Sequence, residues 1–418
     1  MPDTGSALNP QRTIDELKAL RQLTGDENGA QRVAFTDEWL SARAFLKEKL
    51  LELPVEVITD PAGNLWATLK GDSGKELLIG GHLDSVPNGG WLDGSLNVLA
   101  GLEVLRRLNT QYAGKPPVTV RLVDWADEEG ARFGRSLFGS SAVSGHLDVQ
   151  ALARLQDKNG VSLGDALMNV GVVLADAPQA SEQLKNAAAY LELHIEQGPV
   201  LEGMQLPLGA VLGTFGVERH TLTFRGQGAH AGSTPMNVRK DAFLAAGRFG
   251  QEIYAIAERH GGVCTVGSVK TWPGIVTSVV ETCEITLDQR NLDADKLAAM
   301  WQDAQDAAQK FAEEGGCTVE FGYLWNIEPI PFHRELIEAT DAAILEVTPQ
   351  SHRLPSGPLH DAAEVARAGV PTVMLFVQSL RGISHNKIED TEEEHLRLSV
   401  EALDRLTDKA MAWIGNQT

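Results

Sequence analysis

The sequence predicts an α/β protein: a larger domain whose mixed sheet is covered by helices, with a ferredoxin-like α+β unit inserted into it. Three observations carry this. Short apolar segments of strand type alternate with amphipathic helical segments through the first half of the chain, the pattern of a sheet covered on both faces. From about Thr214 the order becomes β-α-β-β-α-β, the ferredoxin-like arrangement. After about residue 330 the first style returns. The predicted division is 1–213 with 331–418 for the larger domain and 214–330 for the insert. A chain of 418 residues is long for one core, so two domains are expected.

The elements follow in order. "TIDELKALRQL" reads as the first helix, with Thr13 and Glu16 at capping-box spacing and Ile14, Leu17 and Leu20 on one face. "TDEWLSARAFLKEKLLEL" fits a second, ended by Pro54. "PVEVIT", "NLWATLKG" and "KELLIGGHLD" read as strands, and "SLNVLAGLEVLRRLN" as a helix. "PVTVRLVDWADEEG" and "AAYLELHIEQG" are two further strands. In the insert, "HTLTFRG" alternates as a half-exposed strand, followed by the helix "KDAFLAAGRFGQEIYAIAERHG". The strands "VCTVGSVKTW" and "ETCEITLDQR", the helix "DADKLAAMWQDAQDAAQKFAEEGG" and the strand "CTVEFGYLW" complete it. "PTVMLFV" and "EEHLRLSVEALDRLTDKAMAWIG" return to the larger domain.

Composition narrows the function. Hydrophobic residues at 43% and charged residues at 22% are those of a soluble globular protein. Thirty-six basic against 57 acidic residues leave a formal charge of −21, which argues against nucleic acid and against an anionic membrane surface. An anionic substrate would need a locally basic pocket within this field. The three cysteines, Cys264, Cys283 and Cys317, form no CxxC, so neither a disulfide framework nor a cysteine zinc site is expected. A reducing, cytoplasmic location is the simplest reading. No signal-peptide pattern and no apolar run of membrane-spanning length is found.

Four polar clusters stand directly after apolar strands: His82/Asp84/Asp93, Asp127/Glu128/Glu129, His194/Glu196/Gln197 and Ser384/His385/Asn386. In open α/β sheets, ligands bind outside the carboxyl ends of the strands. Imidazole with carboxylate is the ligand set of zinc and similar divalent ions. An Asp two residues from a His suits the role of holding the imidazole tautomer. The glycines of "PNGGWLDG" allow a turn tight enough to return Asp93 to the site. Glu128 and Glu129, if extended, point in opposite directions, one towards a metal and the other towards substrate as a general base. Each cluster alone reads more readily as a structural hydrogen-bonder or a solvated turn; the shared placement points to a metal site. There is no GxSxG, P-loop, GxGxxG after a strand or HExxH helix.

Together, "GGHLDSVPNGGWLDG", "ADEEGARFG", "LELHIEQGPVLE", "GQGAHAGSTPM" and "SHNKIEDT" resemble the dinuclear metallo-amidohydrolases. That family holds N-carbamoyl-L-amino acid amidohydrolase, β-ureidopropionase and allantoate amidohydrolase, with aminoacylases and zinc exopeptidases as wider relatives. The likeness runs from about Leu17 to the C-terminus. It implies two divalent ions per chain, zinc first, with manganese, cobalt or nickel as alternatives. His82 and His194 would bind one ion, Glu129 and His385 the other, and Asp93 would bridge. Asp84 would orient His82, and Glu128 would be the general base. The histidine at 194, where exopeptidase relatives usually carry a carboxylate, resembles the amidohydrolase branch.

The insert would be the family's lid and dimerisation domain, making the protein a homodimer. His230 would stabilise the developing oxyanion across the dimer interface, and Arg290 would grip the substrate carboxylate through its fork. Gln197 and His360 match further substrate-contacting positions. Family members usually carry Asn thirteen residues before the arginine; here Thr277 stands there, and its hydroxyl cannot make both amide hydrogen bonds. Without the resemblance, His230 and Arg290 read as surface groups. The implied reaction is hydrolysis of N-carbamoyl-L-amino acids to amino acid, carbon dioxide and ammonia. Allantoate, N-carbamoyl-β-alanine, N-acyl amino acids and dipeptides are the alternative substrates, and a metal-free binding protein is the alternative from another class.

Overall fold

The computed structural model describes residues 8–417. The chain forms two compact units, one running to Gly213 and resuming at Phe332, the other comprising Thr214–Pro331.

The first unit is built on a mixed sheet. Its centre is four parallel strands in the spatial order Thr372–Val377, Ala187–Ile195, Ser73–His82 and Val118–Trp125. Antiparallel strands flank them: Leu208–Thr214 on one side, Leu65–Leu69 and then Glu56–Thr59 on the other. Val118–Trp125 and Thr372–Val377 are buried at every residue, which suits the apolar run Val373–Val377; in Val118–Trp125 the buried charges Arg121 and Asp124 pair with Glu76 and Arg43. From Ser73–His82 the chain crosses to Val118–Trp125 on one side, and later returns to Ala187–Ile195 on the other. The order therefore reverses between the strands that end in His82 and His194, where a crevice opens in doubly wound sheets.

Helices cover the sheet. Glu393–Asn416 buries Leu396, Val400, Leu403, Leu406 and Ile414, an apolar stripe at helical spacing. Ser95–Gln111 is buried on nearly all sides, and its charged residues are paired. Glu103 accepts from Arg12, Arg106 pairs with Glu16, and Arg107 with Asp404.

The first helix departs from expectation at its start. It spans Pro10–Thr24, and the Asn9 side chain accepts from the Arg12 N–H. Proline suits the first helical position because its φ is already helical and its missing N–H is not needed there. Thr13 is thus buried inside the helix, and Glu16 binds Arg106 instead of closing a capping box. The second helix, Asp37–Leu50, is capped by Thr36, the first residue of the predicted segment, and stops short of Pro54. Helix Arg334–Val347 and the short helices Phe138–Ser144 and Asp361–Arg367 were not anticipated.

The second unit has β-α-β-β-α-β order. Strands Gly216–Arg225, Val263–Trp272, Thr282–Asn291 and Thr318–Ile327 pair antiparallel in the spatial order 263–272, 282–291, 216–225, 318–327. Its helices, Ala242–His260 and Ala294–Glu314, start at Asp241 and Asp293, whose carboxylates accept from first-turn N–H groups. Their apolar faces join Leu222, Phe224, Cys283, Ile285 and Leu287 in one core. On Thr282–Asn291 the alternate residues Thr286, Asp288 and Arg290 remain half-buried on the other face. Among the described residues no helix is long and apolar enough to cross a membrane.

Candidate metal centre

The carboxyl ends of the four parallel strands bring the four polar clusters together. His82 closes Ser73–His82, and His194 is the penultimate residue of the adjacent Ala187–Ile195. Glu128 and Glu129 follow Val118–Trp125, and His385 follows Thr372–Val377. Asp93 returns on the glycine-rich loop. Gly94 needs its missing side chain there: its φ is +63°, and a Cβ would fall 2.4 Å from the His82 ring.

Asp93 stands between three imidazoles. Its Oδ1 lies 3.5 Å from His82 Nε2 and 3.2 Å from His194 Nε2, and its Oδ2 3.4 Å from His385 Nε2. Glu129 Oε2 is 3.3 Å from the same His385 nitrogen. Three sets of ligand atoms lie within 4.8 Å of one another: His82–Asp93–His194, His82–Glu128–Glu129 and Asp93–Glu129–His385.

The tautomers decide what this arrangement can hold. His82 Nδ1 is 3.0 Å from the Asp84 carbonyl, and His194 Nδ1 is 2.9 Å from the Ile195 carbonyl. A carbonyl only accepts, so each Nδ1 carries a proton and each Nε2 is left to share a cation, either a proton or a metal ion, with Asp93. Lone pairs facing a buried carboxylate repel unless a cation lies between them. His82 Nε2 and Glu129 Oε1 are buried without any hydrogen-bond partner. The donor set therefore fits divalent metal ions, with backbone carbonyls fixing the imidazoles from behind.

The electrostatics agree. Burial opposes charge on His82 and His194, yet the surrounding carboxylates outweigh it and raise both above the ordinary histidine value. Burial likewise disfavours ionised Asp93, but the imidazoles of His194 and His82 hold its carboxyl well below the usual range. Glu128 and Glu129 are pushed well above it, first by burial and then by neighbouring carboxylates, with His82 opposing. The cluster thus attracts positive charge strongly.

Two expectations need correction. Asp84 does not face His82 with its carboxylate, which is 3.7 Å from Nδ1; its carbonyl makes that contact. The carboxylate instead accepts from the N–H groups of Glu128 and Glu129, at 3.2 Å each. Glu128 and Glu129 do not point apart either. The strand ends at Trp125, and Asp127, at φ +55°, bends the chain so that both carboxylates face His82.

Gln197 enters the cluster directly. Its Nε2 donates to Asp93 Oδ2 at 2.8 Å and to Ser384 Oγ at 3.0 Å. His360 is buried, with its ring centroid 4.4 Å from that of His194. Ser356 donates its hydroxyl to the Pro358 carbonyl, so His360 Nε2, at 2.9 Å from that hydroxyl, carries a proton. Burial, then His194, lowers the His360 pKa well below the ordinary value and keeps it neutral.

The remaining candidates lie in the second unit. His230 is exposed, and its Nδ1 accepts from the N–H groups of Gly232 and Ser233 at 3.1 and 3.2 Å. Its Nε2 is therefore the protonated nitrogen, a donor. Ala231 N–H donates to the carbonyl of Thr277, whose own side chain is exposed. Arg290 grips Asp288 with Nε at 2.8 Å and Nη2 at 3.3 Å, and Arg219 Nε binds the same carboxylate at 2.7 Å.

Sequence reasoning missed three contributors. Arg32 is fully buried, donating to the Leu83 carbonyl at 2.7 Å and to Ser95 Oγ at 2.8 Å. It ties the His82 segment to the turn after Asp93, but nothing in "GAQRVAF" signals this. Glu389 accepts from the backbone of Asp93. Glu192, two residues before His194, accepts from Tyr190 Oη and the Ala362 N–H behind the site. Its spacing on the strand was the available signal, since i and i+2 share a face.

Residues 78–409 match the model of peptidase family M20/M25/M40. The chain is 35% identical to N-carbamoyl-L-amino acid amidohydrolase of Geobacillus stearothermophilus over 396 residues, covering 94% of this chain and 95% of that one. It is 34% identical to allantoate amidohydrolase of Escherichia coli K12 over 380 residues, covering 90% and 91%. A solved amidase of the hydantoinase/carbamoylase family from Burkholderia multivorans superposes with a TM-score of 0.87 at 29% identity, covering 96% and 98%. The chain thus belongs to peptidase family M20/M25/M40 and, with full-length likeness to its amidohydrolases, is a hydrolase of carbon–nitrogen bonds other than peptide bonds.

Proposed function

We propose that this enzyme hydrolyses the carbamoyl C–N bond of N-carbamoyl-L-amino acids, releasing the amino acid, carbon dioxide and ammonia. The observation that carries the chemistry is Asp93 standing between the lone pairs of His82 and His194 on one side and His385 with Glu129 on the other. These five residues would hold two divalent ions, zinc first with manganese, cobalt or nickel as alternatives, which would supply Lewis acidity and lower the pKa of water.

The chain's own groups do the rest. Glu128, buried beside His82, takes the proton of the attacking water and delivers it to the leaving nitrogen. His230 donates from Nε2 to the oxyanion that develops on the carbamoyl carbon. Arg290 binds the substrate carboxylate, and Gln197, Thr277 and His360 complete the substrate contacts. The curated likeness to a carbamoylase supports the ureido substrate. Allantoate is the second reading, supported by nearly equal identity to an allantoate amidohydrolase. Measuring ammonia release from N-carbamoyl amino acids, N-carbamoyl-β-alanine and allantoate tests the choice, with N-acyl amino acids as aminoacylase controls followed by amino acid release. Turnover confined to allantoate would overturn the first reading.

The anchor is tested separately. A charge-assisted pair contributes about 1.5–3 kcal/mol, so Arg290→Ala should lower kcat/KM by about ten- to a hundredfold or more. Lysine should rescue only part of this because a point charge cannot reproduce the fork. Amidated substrates should already be poor for the natural enzyme; equal hydrolysis of acid and amide would remove Arg290 from this role.

The lid reading includes a cytoplasmic homodimer in which His230 serves the partner's site. Mixing His230→Ala with Glu128→Gln chains under subunit exchange should restore activity. Demonstrated exchange without recovery would make each site self-contained.

A further inference from the structure

Glu389 is buried, and its carboxylate lies between two loops that carry ligand-type residues. Oε1 accepts from the backbone N–H groups of Leu92 and Asp93, both at 3.1 Å. Oε2 lies 3.0 Å from Ser384 Oγ, and the same hydroxyl is 3.0 Å from Asp93 Oδ2. The glycine-rich loop is shaped to admit this carboxylate. A Cβ on Gly90 would fall 2.0 Å from both Cδ and Oε1 of Glu389. Next to it, Trp91 Nε1 reaches Asp390 Oδ1 at 3.3 Å. Segments nearly 300 residues apart in the chain are thus joined through one side chain.

We propose that Glu389 is a positioning residue of the metal centre, tying the loop of Asp93 to the loop of Ser384 and His385 and so fixing the half formed by Asp93, Glu129 and His385. The assignment rests on the metal-centre reading above. The two halves differ in what else supports them. His82 and His194 sit on adjacent central strands, each held by a backbone carbonyl. His385 sits on a loop at φ +54° with about half its side chain exposed. Removing Glu389 leaves two buried N–H groups without their acceptor, which favours a shift of the Asp93 loop. The His385 half has less to resist that shift.

The test is cobalt titration of the metal-free protein by calorimetry, with visible absorption reporting ligand geometry. Wild type should take close to two ions per chain. Glu389→Ala should weaken both ions, since Asp93 serves both sets, and the ion of the His385 half by about tenfold or more beyond the other, the scale seen when groups orienting a ligand are lost. Its cobalt spectrum should change accordingly. Glu389→Gln should recover most of the lost affinity, since the amide oxygen can accept from both N–H groups. Gly90→Ala should copy Glu389→Ala by displacing an intact carboxylate, and carries the test if Glu389→Ala fails to fold. Circular dichroism of the metal-free proteins establishes the fold. Two ions at natural affinity in Glu389→Ala or Gly90→Ala, or equal weakening of both, would overturn the assignment. A wild type that binds no ion would instead sink the metal centre itself, and this assignment with it.

Discussion

Glu128→Gln should keep its metal and lose turnover by ~10²–10⁴-fold, the usual contribution of a positioned general base. Its Oε2 lies 3.7 Å from His82 Nε2, near the ligands but outside hydrogen-bonding reach. The backbone N–H of Glu128 is held by the Asp84 carboxylate, so the substitution leaves the main chain fixed. Glutamine keeps the shape and removes the basic oxygen. A base has to be ionised, and the metal-free pocket opposes that, because burial and neighbouring carboxylates push Glu128 well above the usual range. Divalent ions reverse this balance by adding positive charge at close range. The kcat/KM of the natural enzyme should therefore fall as pH drops and Glu128 becomes protonated, and the residual activity of Glu128→Gln should lose that acidic limb. Near-normal turnover, or an unchanged acidic limb, would exclude Glu128 as the base. Loss of metal from the variant would make it a ligand instead.

Much of this site was legible in the sequence because its parts follow strands rich in apolar residues. Residues such as "LLIGGH" and "VMLFV" announce buried strands, and in a parallel sheet the carboxyl ends lie on one edge. What the strands do not specify is how the chain turns after them. Glu128 and Glu129 were misread because alternation holds only for extended backbone, whereas Asp127, at φ +55°, bends the segment. Gln197 and His385 adopt the same left-handed conformation, at φ +58° and +54°. Such strained positions are set by the surroundings and have no local sequence signature. Arg32 and Glu389 escaped for another reason. Their hydrogen bonds reach segments 51 and 297 residues away, and no periodicity records those partners. The insert was easier, since local alternation sends Cys283, Ile285 and Leu287 inward and leaves Asp288 and Arg290 on the opposite face. The Asp288 carboxylate in the Arg290 fork remained hidden, although spacing made the pair possible.

Asp93→Asn should cost both ions their common ligand. Asp93 is the side chain shared by the His82–His194 set and the Glu129–His385 set, so its charge serves both. The amide keeps the volume and removes the anion, leaving no negative charge between the His82–His194 set and the Glu129–His385 set. Metal affinity should fall by more than the ~10–100-fold typical when an outer partner of a ligand is lost. Elemental analysis should find close to two ions per chain in active wild type and fewer than one in the variant after dialysis. Activity should vanish in parallel, as it should in wild type treated with a chelator. The pH dependence gives an independent sign. In the metal-free chain, carboxylates including Asp93 outweigh burial and raise His82 and His194 above their ordinary value, so protons compete with metal to higher pH than at a free imidazole. Wild-type affinity should therefore weaken as pH falls. With asparagine, part of the charge that holds those protons is gone. Proton competition in the variant should begin at lower pH, even though its metal binding is weaker throughout. Two tightly held ions in Asp93→Asn, or a competition curve at the wild-type pH, would show that Asp93 neither bridges the ions nor sets the charge of the imidazoles.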